Sequence, residues 1–375
     1  MNKLLYKQIR LKLIHLSEKM RIDDFLRDMK RNRKNNLNVR ENERLDSAKR
    51  VLLKEKIEKN IKVGLVKDIR SNSYWEKFER FLVNNNIYYE FYDIHSAEYI
   101  DKAEHYDVII WHPNSDVLSQ EEAKSKIEFL QYHMNKKCLP TAESIWFYED
   151  KIRQAWLFKI NKLPMLPTFI TYKKSEAINY ISQHKHPLIF KESVSSGSLG
   201  VFKSDNETIS KKYINKVFSS GRKGTNSTRK HKGYIYIQKL VENEGYDLRI
   251  IVIGDSLLGY YRYPAKNDFR ASGAGNIIKK GLPTEAMDLA RRVKSVLPYS
   301  PMLAVDFLKD SNSKEYKIIE ASIFIGCETC EQLMVEGVPG RYVYRNGEYE
   351  FETGRFWLQE LMLEDYFNKY YELYR

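Results

Sequence analysis

At 375 residues the chain is too long for one ordinary small domain, and at roughly 150 residues per domain two or three are expected; a 42% hydrophobic and 13% aromatic content excludes wholesale disorder. Lys and Arg outnumber Asp and Glu by 63 to 50, yet residues 1–62 hold 19 basic against 9 acidic residues, leaving 44 against 41 in the rest. The body is nearly neutral, so nucleic acid is not expected as a partner.

Taken in chain order, Leu5, Ile9, Leu13 and Leu16 recur at helical spacing among Lys and Arg. This predicts a basic helical segment over residues 1–60, packed on a neighbour or in peripheral contact with an anionic membrane surface. Lys3, Lys7, Arg10 and Lys12 interrupt what would be the apolar core of a signal peptide. No stretch reaches the roughly 20 apolar residues that span a bilayer. Three cysteines, Cys138, Cys327 and Cys330, are too few for a disulfide framework and fit a reducing compartment. A cytoplasmic location is expected, membrane-peripheral if the basic segment docks.

From Val63 short apolar runs alternate with helical patterns. Strands are predicted at 63–66, 88–91 and 107–111, with helices at 74–84, 97–103 and 119–134. That alternation describes a small doubly wound α/β domain over 61–145. No G-x-G-x-x-G follows its first strand, so a dinucleotide site has no support there.

A second unit begins near Lys151. Strands are predicted at 168–172, 187–192 and 233–240, with a helix at 175–183 and a polar, basic loop over 219–233. Beyond Tyr246 the pattern is β-rich, with a helix at 284–297, a hairpin turn at Asn346-Gly347 and a C-terminal amphipathic helix from about Arg355. These pieces divide into α+β lobes over 146–241 and 242–375.

Three constellations can carry chemistry. In the first, a strand delivers Lys191 and then turns through Ser195, Ser196, Gly197, Ser198 and Gly200. A cation beside a small-residue turn, where backbone N–H groups can approach oxygens, outlines a phosphate site. The second is Asp306 and Glu320, each closing an apolar run on neighbouring predicted strands, with Ser322 two residues on. Paired carboxylates in such surroundings call for a cation, and hard oxygen donors suit Mg²⁺. The third is Asp247 and Arg249 on one strand face, followed by Lys266 and Arg270, cations that suit a polyphosphate and a developing acyl phosphate. Elsewhere, Cys327-Glu-Thr-Cys330 reads as a helix start rather than half a zinc site, His184 and His186 as a solvated turn, and the 27 tyrosines chiefly as packing.

In this order, from Val63 to Ser322, the pieces resemble the ATP-grasp superfamily, and most closely its carboxylate–amine ligases of the ribosomal-protein glutamate ligase type. The resemblance implies a small pre-ATP-grasp domain followed by a two-lobed ATP-grasp domain, with ATP and Mg²⁺ as cofactors. It implies that Lys151 and Lys191 hold ATP phosphates beneath the Ser195–Gly200 loop. Gln238, Lys239, Leu240 and Val241 would form the hinge at adenine, and Asp247 would lie near the ribose. Arg249, Lys266 and Arg270 would act on the transferred phosphoryl group, and Asp306, Glu320 and Ser322 would ligate Mg²⁺. Ser322 stands where the family usually has Asn, and Ala271-Ser272 where close relatives have Ser-Asn.

The expected activity joins a carboxylate to an amine through an acyl phosphate, acting on small molecules such as an amino acid or a sugar of a cell-envelope polysaccharide. A kinase acting on a hydroxyl, or a non-catalytic ATP-binding protein, are the alternatives.

Overall fold

The computed structural model describes residues 45–372, apart from 46, 56, 58–60, 68–73, 196–199, 225–229, 267, 269, 272–275 and 328. The basic segment expected to dock on a membrane falls mainly in residues 1–44, outside the described residues. Its described end, 47–55, runs without regular structure across the body and buries Ala48 and Val51, so helix does not continue there. Among the described residues no helix is long and apolar enough to cross a membrane.

The first sheet contains β1 (Val63–Leu65), β2 (Tyr89–Phe91), β3 (Val108–Ile110) and β4 (Lys137–Leu139), all parallel in the order β2-β1-β3-β4. Its crossovers carry α1 (Trp75–Asn84), α2 (Tyr99–Ala103) and α3 (Val117–Tyr132). Helix α3 starts at Asp116, whose carboxylate accepts the Ser119 N–H, an N-cap that satisfies a donor the helix cannot. The strand order reverses between β1 and β3, and there Tyr74 and His112 stack with ring centroids 3.7 Å apart.

Two short helices follow, α4 (Ala142–Phe147) and α5 (Lys151–Ile160), which lead into an antiparallel sheet. That sheet is built from β5 (Thr168–Thr171), β6 (Leu188–Lys191), β7 (Val201–Ser204) and β10 (Ile235–Lys239), in the order β5-β10-β6-β7. Helices α6 (Lys174–Gln183) and α7 (Glu207–Phe218) cover one face, burying Ile181, Phe190, Ile214 and Ile237 together. A two-stranded ribbon, β8 (Arg222–Lys223) and β9 (Lys230–His231), flanks the lobe. The histidines predicted as a solvated turn are tied down instead. His184 stacks on Tyr180 at 3.8 Å and His186 Nε2 meets Ser210 Oγ at 2.9 Å.

The third sheet runs β15-β14-β11-β12-β17-β16, with β13 on β12 and β18 on β17. Its strands are β11 (Asp247–Ile253), β12 (Ser256–Tyr263), β13 (Asn276–Ile278), β14 (Met302–Lys309), β15 (Tyr316–Ser322), β16 (Met334–Val335), β17 (Val338–Arg345) and β18 (Glu348–Thr353). Helices α8 (Thr284–Ser295) and α9 (Leu358–Glu372) pack on its back. The β17–β18 hairpin turns at Asn346 and Gly347, with φ of 50° and 92°, the left-handed pair a tight hairpin demands. Cys327 and Cys330 lie buried in the irregular segment after β15, so the helix start predicted there is absent.

Gly259 marks where the central strands approach too closely for a side chain. A Cβ there would stand 2.3 Å from the carbonyl oxygen of Arg249 on β11. Gly259→Ala is expected to cost about 1–3 kcal/mol by overpacking. Chemical denaturation would measure it, and a loss below a few tenths of a kcal/mol would refute the close approach.

Candidate active site

The cleft between the second and third sheets has a volume of about 240 Å³. Its apolar walls come from Leu166, Ile189, Val201, Leu308 and Ile319, which form a slot suited to a flat ring. Its rim at the lobe connection is Gln238, Lys239, Leu240 and Val241. Gln238 is buried, and its amide nitrogen donates to Thr168 Oγ1 and Tyr236 Oη, both at 3.1 Å. Lys239 donates its backbone N–H to the Pro167 carbonyl at 3.1 Å.

At the other end Lys151, Lys191, Asp306 and Glu320 converge. Lys151 opens α5. Asp150 caps that helix by accepting the N–H groups of Ile152 and Arg153, and Ser193 Oγ donates to the same carboxylate at 2.7 Å. Lys151 N–H also donates to the Ser193 carbonyl at 3.1 Å, so the helix start is stitched to the turn that follows β6. The stitching places Lys151 Nζ 2.5 Å from the Ser195 carbonyl and 3.6 Å from Glu320 Oε2.

Lys191 ends β6 with 6% of its surface exposed, and its ammonium has no hydrogen-bond or ion-pair partner among the described residues. Burial, only partly offset by Glu320, pushes its ammonium down to about 8. A buried cation without a counter-ion is costly unless an anion arrives.

Strand register builds the acidic end. Glu320 on β15, Asp306 on β14 and Arg249 on β11 are direct cross-strand partners in one row, at a register shift in β14–β15. Asp247 lies two residues from Arg249 and therefore on the same face, opposite Arg262 on β12. Arg249 grips Asp306 with Nε and Nη2 at 2.7 and 2.8 Å, and Arg262 joins Asp306 to Asp247 at 2.7 and 2.5 Å. Burial alone would raise the Asp306 carboxyl, but Arg249 and then Arg262 hold it below the usual carboxylate range. At Asp247 burial prevails over Arg262 and lifts the carboxyl to about 6.

Of the residues singled out in the sequence, the cleft gathers Lys151, Lys191, Ser195, the 238–241 rim, Asp247, Arg270, Asp306 and Glu320. Arg249 stands behind Asp306. Lys266 is exposed and absent from the cleft lining. Gly200 is buried against Ser195, and Ser322 Oγ donates to the Phe324 carbonyl at 2.6 Å. Arg270 folds onto Asp268 of its own loop at 2.9 Å. Ser196, Gly197 and Ser198 lie outside the described residues.

Sequence reasoning passed over Arg262 and Glu149. Arg262 could have been found from strand pairing with Asp247. Glu149 adopts φ 54°, an uncommon backbone for a side-chain-bearing residue, two positions before Lys151. Burial pushes its carboxyl up to about 7, Lys151 opposing that and Glu320 adding to it.

Residues 148–333 match the family model described as the RimK-like ATP-grasp domain. The chain carries an ATP-grasp domain of the RimK-like type. The resemblance read from the sequence and the α/β fold class are borne out, and ATP with Mg²⁺ is the cofactor pair of ATP-grasp ligases. Over 168 residues the chain is 29% identical to an α-aminoadipate–LysW ligase, LysX, of Saccharolobus solfataricus, covering 44% of this chain and 58% of that protein. The matched stretch thus spans little more than half of the relative. Among solved structures, D-cycloserine synthetase DcsG aligns with TM-score 0.54 at 10% identity, over 70% of this chain and 91% of that one. An ADP complex of purK, N5-carboxyaminoimidazole ribonucleotide synthetase, aligns with TM-score 0.51 at 11% identity, over 84% and 98%. At these identities the likeness is one of fold.

The ATP-grasp domain's own residues fit the cofactor pair. A buried lysine with no side-chain partner among the described residues faces the cleft beside a second lysine, and two carboxylates stand opposite each other across β14 and β15. Among the described residues no group of three or more His, Cys, Asp or Glu could hold a metal ion alone. Two carboxylates with phosphate oxygens and water complete the shell that Mg²⁺ prefers.

Proposed function

We propose that this protein is an ATP- and Mg²⁺-dependent ligase that joins a carboxylate to an amine through an acyl phosphate. The observation that carries the proposal is Lys191, a buried ammonium with no ion-pair partner among the described residues, facing a cleft that ends in two opposed carboxylates. Adenine would occupy the apolar slot, with its edge toward 239–241. Lys151 and Lys191 would hold the phosphates, with Ser195 and Gly200 bounding the turn above them.

Asp306 and Glu320 would hold Mg²⁺, whose contribution when bound is to neutralise the phosphate oxygens as charge builds on the leaving ADP. Arg270, which lines the cleft, and Arg249, behind Asp306, would serve the transferred phosphoryl group; exposed Lys266 would have to be carried in by its loop. A substrate carboxylate oxygen attacks the γ-phosphorus as its bond to ADP breaks. The amine nitrogen then attacks the acyl carbon, inorganic phosphate leaves, and the amine gives up a proton. Glu149, two residues before Lys151 and with its carboxyl pushed up to about 7 by burial, is the nearby group suited to receive it.

The relative acts on an amino acid, α-aminoadipate, and an amino acid is the substrate class proposed here; a cell-envelope amino or uronic sugar is the second arm of the screen. Cys138, Cys327 and Cys330 are all free thiols, in keeping with a cytoplasmic reaction.

Hydroxylamine can replace the amine. With ATP, Mg²⁺ and a panel of amino acids and uronic acids, a hydroxamate and an equivalent of ADP are expected from at least one carboxylate. ATP binding with no hydroxamate across the panel would sink the ligase reading, and a phosphorylated hydroxyl in its place would mean a kinase.

A further inference from the structure

At the acidic end of the cleft each of three carboxylates already faces a cation. Asp306 is 2% exposed and accepts three N–H bonds from two guanidinium groups. Arg262 is shared with Asp247, whereas Arg249, the direct cross-strand partner, has its ion-pair contacts with Asp306. Glu320 has its own cation in Lys151 at 3.6 Å. Asp247, Asp306 and Glu320 are thus balanced by Arg249, Arg262 and Lys151, so a bare divalent cation meets a neutral group of six rather than an acidic pocket. Lys191 then makes the cleft as a whole cationic.

We propose that the metal site opens by an exchange of ionic partners. Phosphates of the incoming nucleotide draw Lys151 off Glu320 and Arg249 off Asp306, and the two carboxylates so released take the divalent cation. The inference rests on the ATP-grasp reading and assigns Arg249 a second role, as place-holder for the metal at Asp306 in the empty cleft. Arg262 stays behind on the Asp247 side and keeps the emptied Asp306 oriented. Metal and nucleotide affinities are then coupled, each raising the other by the same factor.

The exchange makes a prediction that runs against intuition, because deleting a cation should strengthen cation binding. Mn²⁺ binding would be followed by the loss of its free EPR signal, without nucleotide, for the wild type, Arg249→Met and Lys151→Met. Each variant's fold would be checked by circular dichroism. Arg249→Met is expected to bind Mn²⁺ at least tenfold more tightly than the wild type. Lys151→Met should gain in the same direction through Glu320, and it decides the matter if Arg249→Met fails to fold.

Folded variants that bind Mn²⁺ no more tightly than the wild type would overturn the exchange, as would a wild type whose Mn²⁺ affinity is the same with and without ADP. The nucleotide-free arm is the decisive one, because ADP chelates Mn²⁺ by itself. Calorimetry with ADP separates the two levels. No ADP binding by the wild type removes the ATP-grasp reading and the exchange together, whereas normal ADP binding with unchanged variants removes only the exchange.

Discussion

Lys191→Met is expected to lower kcat/KM for ATP about 100- to 1,000-fold, the usual loss when one preorganised cation at a phosphoryl site is removed. The same change should leave the nucleotide-free protein as stable as before, or more so. Met nearly matches the lysine stem in size, and the wild-type ammonium is buried with its pKa pushed down to about 8. The sign follows from proton counting. The unfolded chain binds more protons than the folded one between about pH 8 and the ordinary lysine value of 10.5, so this group makes stability rise with pH in that window.

Nucleotide binding should restore the ammonium's affinity for its proton. Wild-type ATP binding is therefore expected to take up close to one proton near pH 9 and little at pH 7. Calorimetry in buffers of different ionisation enthalpy would measure that uptake, and it should vanish in Lys191→Met. A methionine variant that binds ATP within threefold of the wild type would show that Lys191 does not face phosphate.

Asp306→Asn is expected to lose as much turnover, about 1,000-fold or ~4 kcal/mol of barrier, for a different reason. The amide cannot neutralise a divalent cation, and it leaves the Arg249 guanidinium buried without its anion. Breaking a buried pair from one side costs about 3–5 kcal/mol, so this variant should melt earlier than the wild type. Metal-free ADP binding should persist within a few-fold, because Lys151 and Lys191 remain. Opposite stability changes for two variants that both abolish turnover would separate a group waiting for a ligand from one already bound within the protein. An asparagine variant that turns over within tenfold of the wild type would remove Asp306 from the chemistry.

The local parts of this site were readable in the sequence because each carries its own signal. An apolar run ending in Lys191, two ending in Asp306 and Glu320, and Asp247 and Arg249 at a spacing of two all declare strand ends and faces without knowledge of the fold. The pairing between strands was not readable. Nothing near Asp306 in the chain says that Arg249, 57 residues away, will be its partner, or that Arg262 will divide itself between Asp247 and Asp306. Register is set by which strands lie side by side, and that is settled by the packing of α8 and α9 on the sheet and of α5 against β15. Glu149 was hidden for a related reason, since a left-handed backbone at a non-glycine residue leaves no mark on composition. Helix α7 was legible in principle, with Asn206 as its cap and Ile209, Tyr213, Ile214 and Val217 at helical spacing. The polar segment that follows it masked the pattern.

Helix α5 rests on both large sheets at once. Ile152 and Ala155 pack against Tyr236 of β10, while Gln154, three residues past Lys151, clasps the backbone of Ala321 on β15 with bonds of 2.7 and 3.0 Å. A helix gripped from two sides is an axle, and points near an axle travel least. Because the Lys151 N–H is bonded to the Ser193 carbonyl, two residues past Lys191, the mouth of α5 and the tip of β6 are pinned to each other as well. The two lysines are thus riveted to one joint, and the spacing between their backbones is set before any phosphate reaches them.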